Sequence, residues 1–182
     1  MWLVSHRLRD LPLEAPVGES VIAPMAIEGL PAGITALGRR WRRKVEFHMT
    51  VLGATVIWET GNGDPGIWEV VEALVGGRMV GPIYASRDLR RVRDCEKPGL
   101  ETLVVMVRCR ALRPLYKELS RELNVSLTPP PAHVTLYSTD PKKGIGINDR
   151  RQLRERAPAL GEEDREEVRR AMRFDEVFDG AR

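Results

Sequence analysis

Two stretches of strict alternation stand out along the chain. In residues 45–53, Val45, Phe47, Met49 and Val51 share one side, while Glu46, His48 and Thr50 share the other. That period of two predicts a strand with one face buried. Residues 132–137 repeat the pattern, with Ala132, Val134 and Leu136 on the apolar side and His133, Thr135 and Tyr137 opposite. Further strands are expected at 20–27, at 80–92 with a break near the charges around Ser86, and at 100–110. The run 103–107 is apolar enough for a central strand.

Helical signals alternate with these. Thr60, Gly61, Asn62 and Gly63 form a turn, after which Asp64 caps a helix with Pro65 at its first position. Its buried stripe is Ile67, Val70, Val71 and Leu74, and Gly76 and Gly77 end it. Pro114 opens a second helix carrying Leu115, Leu119 and Leu123, and Asn124 stops it. Residues 161–173 form a third, with acids early and arginines late, as the helix dipole prefers. Residues 174–178 read as a short final strand. Pro12, Pro16, Pro24 and Pro31 punctuate a loosely organised start. The 128–131 run, Thr-Pro-Pro-Pro, is a stiff extended lead-in to the second alternating strand.

Composition narrows the classes. A chain of 182 residues, 42% hydrophobic and 30% charged, has the make-up of one folded domain and not of a disordered one. No apolar run reaches the ~20 residues that a bilayer-spanning helix needs. Residues 1–7 carry no apolar signal core, so a cytoplasmic protein is expected. Cys95 and Cys109 have neither metal-ligand spacing nor the make-up of a disulfide framework. A net charge of +3 favours an anionic partner only mildly.

The candidate chemistry lies in the alternating strands. Of three histidines, His48 and His133 are each followed two residues later by threonine, Thr50 and Thr135. With eight threonines in 182 residues, chance gives this in roughly 1 chain in 170. On a strand, residues i and i+2 point the same way, so one imidazole and one hydroxyl can address the same phosphate. In-line displacement at phosphorus needs a base on one side and an acid on the other, and two imidazoles supply both near neutral pH. Threonine hydroxyls can donate to the non-bridging oxygens, where charge accumulates. No acidic or cysteine partner stands at ligand spacing from either histidine, so neither metal nor cofactor is expected.

The segments Phe47-His48-Met49-Thr50-Val51-Leu52 and Ala132-His133-Val134-Thr135-Leu136-Tyr137 resemble the paired signatures of the two-histidine (2H) phosphoesterase superfamily, which includes RNA 2′,3′-cyclic phosphodiesterases (the 2′-5′ RNA ligase-like proteins). The resemblance covers about 45–147 of a single domain spanning 1–182, with 1–44 and 148–182 as unmatched extensions. It implies an α+β fold, in which two pseudo-twofold lobes of antiparallel sheet with outer helices face each other across a central cleft. It also implies a phosphoric diester hydrolase that uses His48, Thr50, His133 and Thr135 without metal.

Candidate substrate contacts surround that core. Tyr137, on the face of His133 and Thr135, suits stacking on a base or a hydrogen bond at the cleft floor; Tyr84 is of the same type. Lys142 and Lys143, ahead of Gly144 and Gly146, suit a phosphate loop, though a surface turn is the reading the pattern favours. Trp41 lies in the basic run 39–44, which suits a nucleotide strand and equally a solvated edge. The expected substrates are RNA ends or cyclic oligonucleotides. RNA-processing hydrolysis of 2′,3′-cyclic phosphates, degradation of cyclic di- or oligonucleotide signals, and a non-catalytic RNA-binding role are the competing readings.

Overall fold

The computed structural model describes residues 6–10, 12–16 and 18–179. The expectation about the N-terminal residues falls largely on 1–5, outside these. Among the described residues there are eight strands and six helices, an α+β arrangement. The strands are β1 (His6–Asp10), β2 (Val21–Ala26), β3 (Gly33–Ala36), β4 (Arg39–Arg43), β5 (Phe47–Leu52), β6 (Ile83–Arg93), β7 (Glu101–Cys109) and β8 (His133–Ser138). The helices are α1 (Ala54–Thr60), α2 (Ile67–Val75), α3 (Leu112–Glu122), α4 (Arg150–Arg156), α5 (Glu162–Ala171) and α6 (Phe174–Asp179).

All strand pairings are antiparallel, in the order β3-β4-β8-β5-β2-β1-β6-β7, and β7 pairs with β8 as well. One edge of β8 is therefore occupied by β7, and the other is shared between β5 and β4. The apolar side of this sheet, including Met25, Met49, Val51, Leu103, Val105 and Val134, forms the main core with Ile57 of α1, Trp68 and Val71 of α2 and Leu115, Tyr116 and Leu119 of α3. A second, smaller cluster lies on the other side of β7. Val92, Leu100 and Val104 there pack with Ile145, Ile147 and Ala157, with Met106 and Leu153 at its border. The chain after β8 thus doubles back over the polar face of the sheet.

Several expectations are corrected by this packing. The first forty residues hold β1, β2 and β3 and part of β4, where only 20–27 was expected to be a strand. The β3–β4 hairpin turns on Leu37 and Gly38, both at positive φ (55° and 67°), the geometry of the tight two-residue turn that suits strand twist. Strand β6 runs through the charges around Ser86 without ending. Its register shifts between Ala85 and Leu89, and Ser86 Oγ donates to the Met106 carbonyl, filling the irregularity. Asp64 stands two residues before the N-cap of α2; its carboxylate accepts the Gly66 N–H. Residues 174–179 form a helix and not a strand. Phe174 and Phe178, spaced i,i+4, satisfy either period, and as a helix they stack at 4.5 Å between ring centroids inside the main core.

Candidate active site

Strand β5 places Met49 directly across from Val134 of β8. In an antiparallel pair the neighbours on either side then oppose each other, so His48 faces Thr135 and Thr50 faces His133. All four side chains leave the sheet on the side away from Met49 and Val134, which are fully buried in the main core. The result is a two-by-two array with the histidines on one diagonal and the threonines on the other. Pleated-sheet spacing puts the two histidine Cβ atoms on the order of 8 Å apart.

The two imidazoles are held differently. His133 is buried, and its Nδ1 lies 2.7 Å from the Pro131 carbonyl. A carbonyl only accepts, so Nδ1 carries the hydrogen and Nε2 is the atom free to exchange a proton. The stiff 129–131 proline run sets this contact, because the acceptor is two residues from the ring it orients. His48 is half-buried, and its Nδ1 is buried without a hydrogen-bond partner among the described residues.

Both rings are pushed below the ordinary histidine value of 6.5. For His48 the main cause is burial, then the Lys44 ammonium, while Glu46 and Glu14 pull the other way. For His133 burial again dominates; the Pro131 hydrogen bond opposes it, and repulsion from His48 adds to it. With no anion present, both therefore favour the neutral form at pH 7.

Among the described residues, hollows flank the array on two sides and a further groove lies beyond the proline run. A small cavity of ≈ 40 Å³ lies against Thr50 and His133, and is lined also by Tyr116, Thr128, Pro130, Gly146, Ile147 and Asn148. A space that size holds a water molecule or two. The Tyr116 hydroxyl is engaged by the Val51 carbonyl. On the other side of the array, His48 borders an open groove of ≈ 630 Å³ with Pro24, Ile27 and Phe47 in its wall and Glu14, Glu28, Glu46 and Arg43 around it. A third groove, of ≈ 700 Å³, lies beyond the proline run.

The structure brings together His48, Thr50, His133 and Thr135 and separates most of the other candidates from them. Tyr137 does not share their face. Val104 pairs with Thr135 but Leu103 pairs with Tyr137, so β8 holds one extra residue there, and the bulge turns Tyr137 into the main core. It is fully buried, its hydroxyl donates to the Pro31 carbonyl, and burial pushes its pKa up to about 12. Trp41 is equally buried, with its indole N–H on the Ala36 carbonyl. The basic run around it is largely engaged in structure: Arg39 meets the buried Glu101, Arg43 donates to the Leu30 carbonyl, and Lys44 donates to the carbonyls of Pro141 and Lys143. The Lys44 contacts tie the 141–143 loop to the entry of β5. Lys142 and Lys143 are exposed on that loop, Lys143 within 3.5 Å of Asp140. Tyr84 is half-buried on β6, between Arg7 of β1 and Arg108 of β7, and does not line the cavity at Thr50 and His133 or the groove at His48.

The sequence reading treated the loop at Gly144 and Gly146 as a phosphate loop or a surface turn and did not foresee that 146–148 lines the cavity at Thr50 and His133. Its one legible signal was Ile145 and Ile147, two apolar residues in a glycine-bearing loop. Among the described residues no cluster of three His, Cys, Asp or Glu side chains could hold a metal ion, and no helix is long and apolar enough to cross a membrane. No family model, curated protein or solved structure matches the chain.

Proposed function

We propose that the protein is a metal-independent phosphodiesterase of the 2H kind, acting on RNA-like or cyclic nucleotide phosphodiesters such as a 2′,3′-cyclic phosphate. The observation that carries this reading is the β5–β8 register, in which Met49 opposite Val134 sets two His-x-Thr units side by side on one polar face. A local twofold axis through that pair exchanges His48 with His133 and Thr50 with Thr135.

In the proposed reaction the phosphodiester sits over the array with its non-bridging oxygens toward the threonine hydroxyls. One neutral imidazole takes the proton of the attacking water as the new P–O bond forms. The other, protonated, gives its proton to the ribose oxygen as the old P–O bond breaks. The empty site favours neutrality at both rings, so the acid gains its proton with the arrival of the anionic substrate, whose charge stabilises the imidazolium. The exposed Lys142 and Lys143 add a diffuse attraction for the same anion, and a cytoplasmic location fits such substrates.

The test is a panel of 2′,3′-cyclic mononucleotides, cyclic dinucleotides and short RNAs, assayed with excess chelator against protein and His48→Ala protein. Turnover by the first and loss in the second is expected. Activity that disappears with chelator and returns with zinc or manganese would overturn the mechanism.

A further inference from the structure

The third groove is lined by Arg108, Arg110, Arg113, Arg150 and Arg154 together with Pro129, Pro130 and Pro131, and no carboxylate takes part in its lining. All five arginines are exposed, and none forms an ion pair of 4 Å or less among the described residues. They arrive from three elements. Arg108 stands one residue before the end of β7 on the polar face, two residues beyond Met106, which stands across from His133. Arg110 and Arg113 follow at the turn into α3, and Arg150 and Arg154 lie one turn apart on α4. The nearby carboxylate of Asp149 is occupied in capping α4 at the Gln152 N–H. Pro130 lines both this groove and the cavity at Thr50 and His133, so the two adjoin across the proline run.

The opposite flank has the opposite character. The groove at His48 holds Glu14, Glu28 and Glu46 against one arginine, Arg43, which donates to the Leu30 carbonyl. A phosphate chain is therefore drawn more strongly to the His133 side; the carboxylates of the His48 groove disfavour it there, although the Lys44 ammonium offsets them at the ring itself.

Building on the phosphodiesterase reading, we infer that the arginine groove binds the phosphates of a single-stranded RNA whose terminal phosphodiester lies over the His-x-Thr array. The group beyond the scissile phosphate, on the His48 side, carries no further phosphate. The enzyme thus acts at strand ends, and a cyclic dinucleotide, with phosphates on both sides, does not match this polarity. Guanidinium groups suit the role because they bind phosphate oxygens in a bidentate fashion. Tyr84, across from Arg108, offers a ring face to a base at the groove's edge.

The experiment is fluorescence anisotropy with a labelled hexaribonucleotide ending in a 3′-phosphate, across a salt series. Wild-type affinity should fall with salt at a log–log slope of about 2 or more, since each neutralised phosphate contributes roughly 0.7 on a single strand. The Arg110→Gln/Arg113→Gln/Arg154→Gln variant should lose about 10- to 100-fold in affinity at low salt, and its slope should drop by about 2. A charge-matched variant at exposed cations elsewhere, Lys97→Gln/Arg121→Gln/Arg173→Gln, should stay within about twofold of wild type. Equal losses in both variants, or none in the first, overturn the assignment; so does a wild-type slope near zero, which needs no variant to fold. A cyclic dinucleotide that displaces the hexanucleotide as well as unlabelled hexanucleotide does overturns the polarity. Arginine-dependent RNA binding without hydrolysis of any phosphodiester leaves the groove in place and refutes the catalytic reading. Hydrolysis of cyclic mononucleotides without RNA binding does the reverse.

Discussion

Met49 stands across from Val134, and through that pairing two histidines 85 positions apart in sequence come to share one small patch of sheet. A slip of one residue in this register would move the partners by more than 3 Å along the strand and turn one set of side chains into the core. The catalytic proposal rests on that register, and most of the expectations below derive from it.

His48→Ala and His133→Ala should each lower turnover by about 10²–10⁴-fold, the usual worth of one general acid or base. Their effects on folding should differ. His133 is buried and bonded to Pro131, so its loss strands a carbonyl and leaves a void, costing about 1–3 kcal/mol of stability. Half-buried His48 should cost less. Urea unfolding of the two variants measures the difference; equal stability would mean that the Pro131 contact contributes nothing.

Lowered histidine pKa values make stability fall with acid. The unfolded chain takes up protons near 6.5, while the folded chain does so only at lower pH. The stabilisation is intact above 6.5 and is lost as pH falls through the lowered folded values. His133→Gln should flatten this dependence in melting curves between pH 7 and pH 5.

The same shifts bear on the rate. In the free enzyme the acidic limb of kcat/KM should have its midpoint below 6.5, because the base is neutral to lower pH than usual. The bound anion raises both groups, so the kcat profile should lie at higher pH than the kcat/KM profile. Coincident profiles would show that substrate charge does not protonate the acid.

Tyr137→Phe separates a core residue from a substrate contact. It removes the hydrogen bond to Pro31 and should cost roughly 0.5–1.5 kcal/mol of stability. Turnover and KM should be unchanged at a temperature where the variant is folded. A raised KM would place the hydroxyl at the substrate after all.

Ile147→Ala tests the cover over the array. Ile147 is almost fully buried in the smaller core and lines the cavity beside Thr50 and His133. Truncation should destabilise by about 2–5 kcal/mol, and should enlarge the space that holds one or two waters. Lys142→Ala/Lys143→Ala, on the exposed part of the same loop, should leave stability nearly unchanged and weaken substrate affinity only at low salt.

Much of the site was legible before folding, because strand alternation is a local property. The period of two alone put His48 with Thr50 and His133 with Thr135, each opposite an apolar face, and helix α3 followed from its leucines and Asn124. Long-range packing decided the rest. Alternation says which side of its own strand a residue leaves, but not which strand lies beside it or in what register, so only the β5–β8 pairing joined the two motifs. Tyr137 shows the limit most clearly. Its alternation is intact in sequence, yet the irregular pairing with β7 inserts an extra residue before it and reverses its face. Trp41 sits in a run of cations that looks solvated, yet burial beneath the sheet took its ring and left the charges outside. The five arginines come from β7, the turn into α3 and α4, separated by up to 46 positions, and no local pattern could announce a groove that exists only where those elements meet.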